Sequence, residues 1–389
     1  MIELLAPAGD IEKAHFAFLY GADAIYIGGK DYSLRANATN FSKEDIIKVC
    51  KLSKSLNKKV YVTVNIVFHD EDLKGLKDYL IFLSNVKVDG VIVSDIVVLK
   101  LIQKLKLSFK VILSTQTSVL NEYSALFYKD LGVHQIVLAR ETLKEDIINI
   151  KKKTNLEIEC FIHGAMCTSI SGKCILSNYM TKRDSNRGGC AQICRWKFNK
   201  DQKPFTMTSK DLNYLDYIQA MIESGVNTFK VEGRMRSIYY IATVVLSYRR
   251  IIDKIINQTL TNEDKKYYLK VLNKVANRES SPQFFKALPT KDDQYYNLDN
   301  EVSNQDFLGI VLDFDPKTMI ATIEERNLFK VNDNVEFIGP NIKTSKMKIK
   351  QIYDDKDNLI KVANKPKMIV KIKTNIILNK YDLMRKEIS

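Results

Sequence analysis

Eight short β-branched runs recur through roughly the first 250 residues of this chain, and nearly every one is followed by an amphipathic helical stretch. The runs are IELLA at 2–6, AIYIG at 24–28, VYVTVN at 60–65, GVIVSD at 90–95, KVILST at 110–115, QIVLAR at 135–140, LEIECFIH at 156–163 and TFKVEG at 228–233. Between them lie segments such as IEKAHFAFLYG, DIIKVCKLSKSL, LKGLKDYLIFL and ATVVLSYRRIIDKII. This alternation predicts an α/β fold, a parallel sheet covered by helices. Eight is the strand number that closes a (β/α)8 TIM-barrel-like domain, whose usual length is about 250 residues. A doubly wound open sheet is the alternative arrangement of the same units.

Each run ends in small, polar or charged residues: Gly9, Gly28 and Gly29, Asn65, Ser94 and Asp95, Ser114 to Gln116, Arg140, His163 and Gly164, and Glu232 to Arg234. A parallel barrel brings the carboxyl ends of all its strands to one mouth, where sites are assembled. His163, one of only four histidines, is a candidate for acid/base work or for a hydrogen bond to substrate, with a structural role as the alternative. The expected domains are 1–260, the barrel, with a Cys-rich loop at 164–200; 261–305, a helical and linker segment; and 306–389, a small antiparallel β-barrel or sandwich. That last expectation rests on short alternating runs with turn signals from Leu308 onward.

The loop leaving the seventh run concentrates thiols. Five of the six cysteines fall between 159 and 196, and Cys167, Cys174, Cys190 and Cys194 follow a C-x6-C-x15-C-x3-C spacing. Four thiolates satisfy either a tetrahedral zinc or an iron–sulfur cubane, and the spacing does not choose between them. Cys160 and Cys50 fall within a strand and a helix and read as small buried hydrophobes. Lys182, Arg183, Arg187, Arg195 and Lys197 surround the thiols. They are candidates to offset a centre's negative charge and to bind an anion at the mouth, a solvated basic loop being the plainer reading.

No apolar run approaches the roughly 18–20 residues of a membrane span, and MIELLAPAGD has neither a basic n-region nor an apolar core. The expectation is a cytoplasmic protein with reduced thiols, in which clustered cysteines serve metal or redox chemistry rather than disulfides. The net charge is +14. Residues 163–200 carry a net +6 and residues 341–389 a net +8, so the rest of the chain is neutral. Localised positive charge suits a polyanion such as RNA, although a Lys-rich composition alone produces a similar total.

The segment E-x-F-x-x-G-A-M-C-x4-G-x-C-x-L-S, from Glu159 to Ser177, resembles the signature of the collagenase-like peptidases, peptidase family U32. The likeness extends to ELLAPAGDIEKAHFAFLYGADAIYIGG near the start, SLRANATNFS at 33–42, TSKDL at 208–212, FKVEGRMRS at 229–237 and the C-terminal β domain. The FKVEGRMRS and NRGGCAQICRW segments most resemble the tRNA hydroxylation protein P branch. That resemblance implies an oxygen-independent hydroxylase forming 5-hydroxyuridine at the wobble position of tRNA, with prephenate as the source of the hydroxyl. It implies a [4Fe–4S] cluster on Cys167, Cys174, Cys190 and Cys194, zinc being the alternative metal. Some relatives take a fourth ligand near the strand that here reads FKVEG, where this chain has no Cys, which leaves that place to Cys194. It makes Glu232, Arg234 and Arg35 candidates for holding a small anionic cosubstrate, and Asn65 and Gln116 candidates for reading a base edge. A collagenase-like peptidase, or a hydroxylase acting on another RNA or a small molecule, is the competing expectation. Some relatives pair with a paralogous subunit. The peptidase label has little behind it in the residues: no H-E-x-x-H helix and no G-x-S-x-G elbow occurs, and a Cys167 nucleophile with His163 as base leaves three thiols unexplained.

Overall fold

All eight runs become strands of one closed barrel in the computed structural model, which describes residues 2–34, 40–200, 203–295 and 306–388. The strands are β1 (Glu3–Pro7), β2 (Ala24–Gly28), β3 (Lys59–Val64), β4 (Gly90–Val93), β5 (Lys110–Leu113), β6 (Gln135–Val137), β7 (Glu157–Gly164) and β8 (Thr228–Val231). They pair in chain order and in parallel, and β8 closes the ring by pairing with both β7 and β1. That closure excludes the doubly wound alternative. Nearly every strand residue is buried, because helices cover the outside and neighbouring strands fill the inside.

Helices α1 (Ile11–Leu19), α2 (Lys43–Ser55), α3 (Leu76–Asn85), α4 (Ile96–Leu105), α5 (Glu122–Asp130) and α6 (Lys144–Thr154) follow β1 to β6 in turn. Several start where the sequence supplies a cap: the side chains of Asp10, Ser42, Asp95 and Asn121 each accept a backbone N–H of the first turn. After β7 the cysteine loop intervenes, carrying a short helix α7 (Leu176–Thr181), and α8 (Ile218–Glu223) then leads into β8. The long α9 (Ile238–Ile256) packs on β1, α1 and α10 (Asn262–Val275). Several very short pieces escaped the sequence reading, among them Ser280–Ser281, which pairs in parallel with Asp211–Asn213. Phe198–Lys200 and Lys203–Phe205 form a hairpin, and Asp211–Asn213 runs antiparallel to the end of β7.

The barrel interior is polar at its centre. Lys230 on β8 pairs with Glu159 on β7 at 2.7 Å, the two side chains being 5% and 0% exposed. The Gln135 amide donates to the same carboxylate, and Lys230 also lies over the rings of Tyr26 and Phe161. Removing one partner of such a buried pair strands the other charge, at a cost of about 3–5 kcal/mol.

Residues Val302–Ser389 form a second compact unit. Its eight-stranded sheet is antiparallel throughout and includes Phe307–Asp315, Ile320–Glu325, Asn334–Gly339, Ile369–Lys373 and Leu383–Lys386. Its own core gathers Val311, Ile323, Phe329, Phe337, Ile352, Ile372 and Met384. Among the described residues, no helix is long and apolar enough to cross a membrane.

Candidate active site

Residues at or just beyond the carboxyl ends of β2 to β8 meet the cysteine loop around one cavity of about 370 Å³. The barrel contributes Tyr26, Thr63, Asn65, Ser114, Gln116, Arg140, Phe161, Lys230, Glu232 and Arg234. The loop contributes all four clustered cysteines.

Three sets of tethers hold the loop over the mouth. Ser171 donates through its N–H and its hydroxyl to Glu141 at 3.1 and 3.2 Å, while its hydroxyl oxygen accepts the Arg140 N–H at 3.2 Å. The next residue, Gly172, has φ +72° and lies so near the Gln116 carbonyl that a Cβ there would collide with it. On the opposite side Arg187 grips the Asp72 carboxylate with both terminal nitrogens and donates to the Val67 carbonyl at 2.7 Å. The end of the loop is fixed where the Cys194 carbonyl accepts from the Met207 N–H at 3.0 Å and the Thr208 hydroxyl at 3.1 Å. Around Cys174, the hydroxyl of Ser185 and the amide of Asn186 donate to its carbonyl at 2.5 and 3.0 Å.

All six cysteines are free thiols. Cys167 and Cys190 are exposed, and Cys174 and Cys194 are half-buried. Burial raises the Cys194 pKa, the Cys167 charge raises it further, and Cys190 and Cys174 add to this against the lowering effect of Arg195. Cys194 thus lies within electrostatic reach of the other three loop cysteines. Among the described residues no group of three or more Cys, His, Asp or Glu side chains stands in an arrangement able to hold a metal ion. The other two cysteines are buried, and burial pushes the Cys50 thiol up to about 11.

The sequence candidates separate in space. Glu232 lines the cavity, where its Oε2 accepts from the Tyr26 hydroxyl at 3.2 Å. Arg234 lines it too, donating to the Ser33 hydroxyl at 2.9 Å and to the Asn40 side-chain oxygen at 2.5 Å. Its guanidinium occupies the space beside Gly28 that any Cβ would fill, which explains the glycine at the end of β2. Of the basic loop residues Arg195 lines the cavity, whereas Lys182 and Arg183 are exposed and Arg187 is committed to Asp72. Arg35 lies outside the described residues.

His163 corrects the expectation of an acid/base residue at the mouth. It is 3% exposed, does not line the cavity, and its Nδ1 lies 3.2 Å from the Tyr248 hydroxyl on α9. The cause is a slip in register: Lys230 faces Phe161, but Val231 faces His163. The inward alternation of Glu159 and Phe161 therefore fails one step later, and the imidazole turns out toward α9. Burial, with help from the Arg236 charge, lowers its pKa to about 3.

Lys230, Arg140 and Phe161 line the cavity but were given no site role from the sequence, although Phe161 and Lys230 lie within the family-like segments. Their inward orientation comes from strand register, which the residue types alone do not reveal.

The sequence profile described as Peptidase family U32 matches residues 9–295, and that described as Peptidase family U32 C-terminal domain matches residues 303–385. The tRNA hydroxylation protein P1 of Bacillus subtilis (strain 168) is 42% identical over 99% of this chain and 94% of its own length. An uncharacterized protease of Methanocaldococcus jannaschii is 35% identical over 87% of each chain. The 23S rRNA 5-hydroxycytidine synthase of Escherichia coli (strain K12) is 37% identical over 66% of this chain and 40% of its own length.

Proposed function

The chain belongs to peptidase family U32, and on that premise we propose that it is an oxygen-independent hydroxylase forming 5-hydroxyuridine at the wobble position of tRNA. The observation that carries the reading is the convergence of four free thiols from one loop on the cavity at the barrel mouth. A relative named for tRNA hydroxylation matches almost the whole chain, and another is named for 5-hydroxycytidine in rRNA. Uracil and cytosine share the C5 position, so one barrel chemistry serves both bases.

C5 of a pyrimidine is not hydroxylated by any ordinary side chain, so a redox centre is required. The donor type suits one, since sulfur ligands are soft and all four cysteines line the cavity, but as arranged in this structure they do not form a metal-holding group and would have to draw together. Cys167, Cys174, Cys190 and Cys194 would hold a [4Fe–4S] cluster. When bound, such a cluster supplies one-electron redox chemistry. The chain's own residues bind and orient. Asn65 Oδ1 and Gln116 Oε1 are buried acceptors without a hydrogen-bond donor, suited to the N3–H of a uracil. Glu232 and Arg234 flank the same cavity, whose basic wall favours an anionic cosubstrate, prephenate being the proposed hydroxyl source. The target base must leave its stack to enter, which an anticodon loop permits most readily.

The peptidase reading loses its base. No histidine lines the cavity among the described residues, and His163 is held neutral against Tyr248.

Two measurements test the proposal. Deleting the gene in a strain without a paralogue should remove 5-hydroxyuridine derivatives from tRNA nucleosides read by mass spectrometry, and their persistence defeats the assignment. Protein purified without oxygen should be brown with about four irons per chain. Cys190→Ser should lose that colour and iron, whereas a colourless, zinc-loaded wild type contradicts the cluster.

A further inference from the structure

The cavity wall carries more positive charge than its own acids balance. Arg140, Arg195, Lys230 and Arg234 line it, and Glu232 is the one carboxylate among the lining residues described. Lys230 is neutralised by Glu159, and Arg234 is engaged by Ser33 and Asn40. Arg140 differs. Its guanidinium lies 4.2 Å from the centre of the Phe161 ring. Its backbone N–H is spent on Ser171, but among the described residues no hydrogen bond or ion pair engages its side chain.

Stacking on a ring fixes a guanidinium in one plane and leaves its N–H edges free to donate. Phe161 is itself set in β7, 7% exposed, with Lys230 within 5.3 Å of the same ring. The result is a half-buried guanidinium, braced on a ring, in the wall of a cavity whose size suits small molecules or an extruded base rather than a polynucleotide strand. The complement of a guanidinium is a carboxylate, which takes two parallel charge-assisted hydrogen bonds from it.

We propose that Arg140, braced by Phe161, is the binding residue for a carboxylate of a small anionic cosubstrate in this cavity. The inference deepens the hydroxylase reading and rests on it for the choice of probe, prephenate. No sequence motif marked Arg140, whereas the candidates that motifs did mark, Arg35 and Arg234, lie in other segments of the chain.

The test is a calorimetric titration of the full-length protein, purified without oxygen, with prephenate and separately with inorganic phosphate, in the absence of RNA. Saturable prephenate binding is expected. It should weaken by about ten- to a hundredfold in Arg140→Gln, the weight of a charge-assisted contact, and by less in Arg140→Lys. Both variants should keep the thermal midpoint of the wild type. Should Arg140→Gln fail to fold, Phe161→Leu removes the platform and keeps the charge, and binding should still weaken severalfold. Equal prephenate affinity in the Arg140→Gln or Phe161→Leu variant, no prephenate binding to the wild type, or preference for phosphate overturns the proposal. None of these readouts requires hydroxylation, so the tRNA nucleoside measurement succeeds or fails separately.

Discussion

Burial holds the His163 imidazole at a pKa of about 3, below its ordinary value of 6.5. In the unfolded chain the same group takes up a proton as pH drops through about 6.5, while in the fold it stays neutral. Its contribution to stability is therefore intact above that pH and is lost progressively as pH falls toward 3. Each pH unit in that window costs about 1.4 kcal/mol, or roughly 2 kcal/mol between neutrality and pH 5. Replacing His163 with Gln should flatten this part of the stability profile in urea unfolding at the two pH values. An unchanged slope would assign the acid sensitivity to other groups. The same residue shows where single-position reading fails. A histidine at the end of a barrel strand reads as a mouth residue, and the slip opposite Val231 that turns it outward leaves no trace in residue type. That the four loop cysteines would reach the mouth was easier to read, because a loop leaving a strand's carboxyl end does not depend on strand register.

At the scale of elements, the cysteine loop owes its position to a few close approaches rather than to a core of its own. Gly172 is the tightest, with φ +72° and a carbonyl where its Cβ would be. Gly172→Ala should cost about 1 kcal/mol or more. It should also make the loop at 164–200 more sensitive to limited proteolysis while the barrel keeps its far-ultraviolet circular dichroism. Unaltered cleavage kinetics would show that the other tethers suffice. The eight barrel strands were legible because each is a buried apolar run flanked by turn residues, and their ends differ from the expected ranges by only a few positions, as in QIVLAR against Gln135–Val137. Asp211–Asn213 and the hairpin at Phe198–Lys200 and Lys203–Phe205 were not, since three residues carry no measurable period. The Arg187–Asp72 clasp was equally hidden. Its partners are 115 positions apart, and nothing in a basic loop says which charge will be claimed by a neighbour.

For the whole molecule, the two units have separate cores. The second carries its own apolar cluster and an antiparallel sheet complete within Val302–Ser389. Residues 303–389 expressed alone should unfold in a single cooperative thermal transition, and a chain lacking dispersed amide resonances would contradict this. Closure of the first unit has a consequence for its birth. Glu3 in β1 takes Thr228 in β8 as its partner, so the ring cannot close until the eighth strand has been synthesised. Cys194 precedes Thr228 by 34 positions, an interval of roughly two to seven seconds at ordinary translation speeds. During that interval the nascent thiols are already made while the wall they will share does not yet exist. Whatever they bind can be delivered from open solvent at that stage, and so can whatever oxidises them.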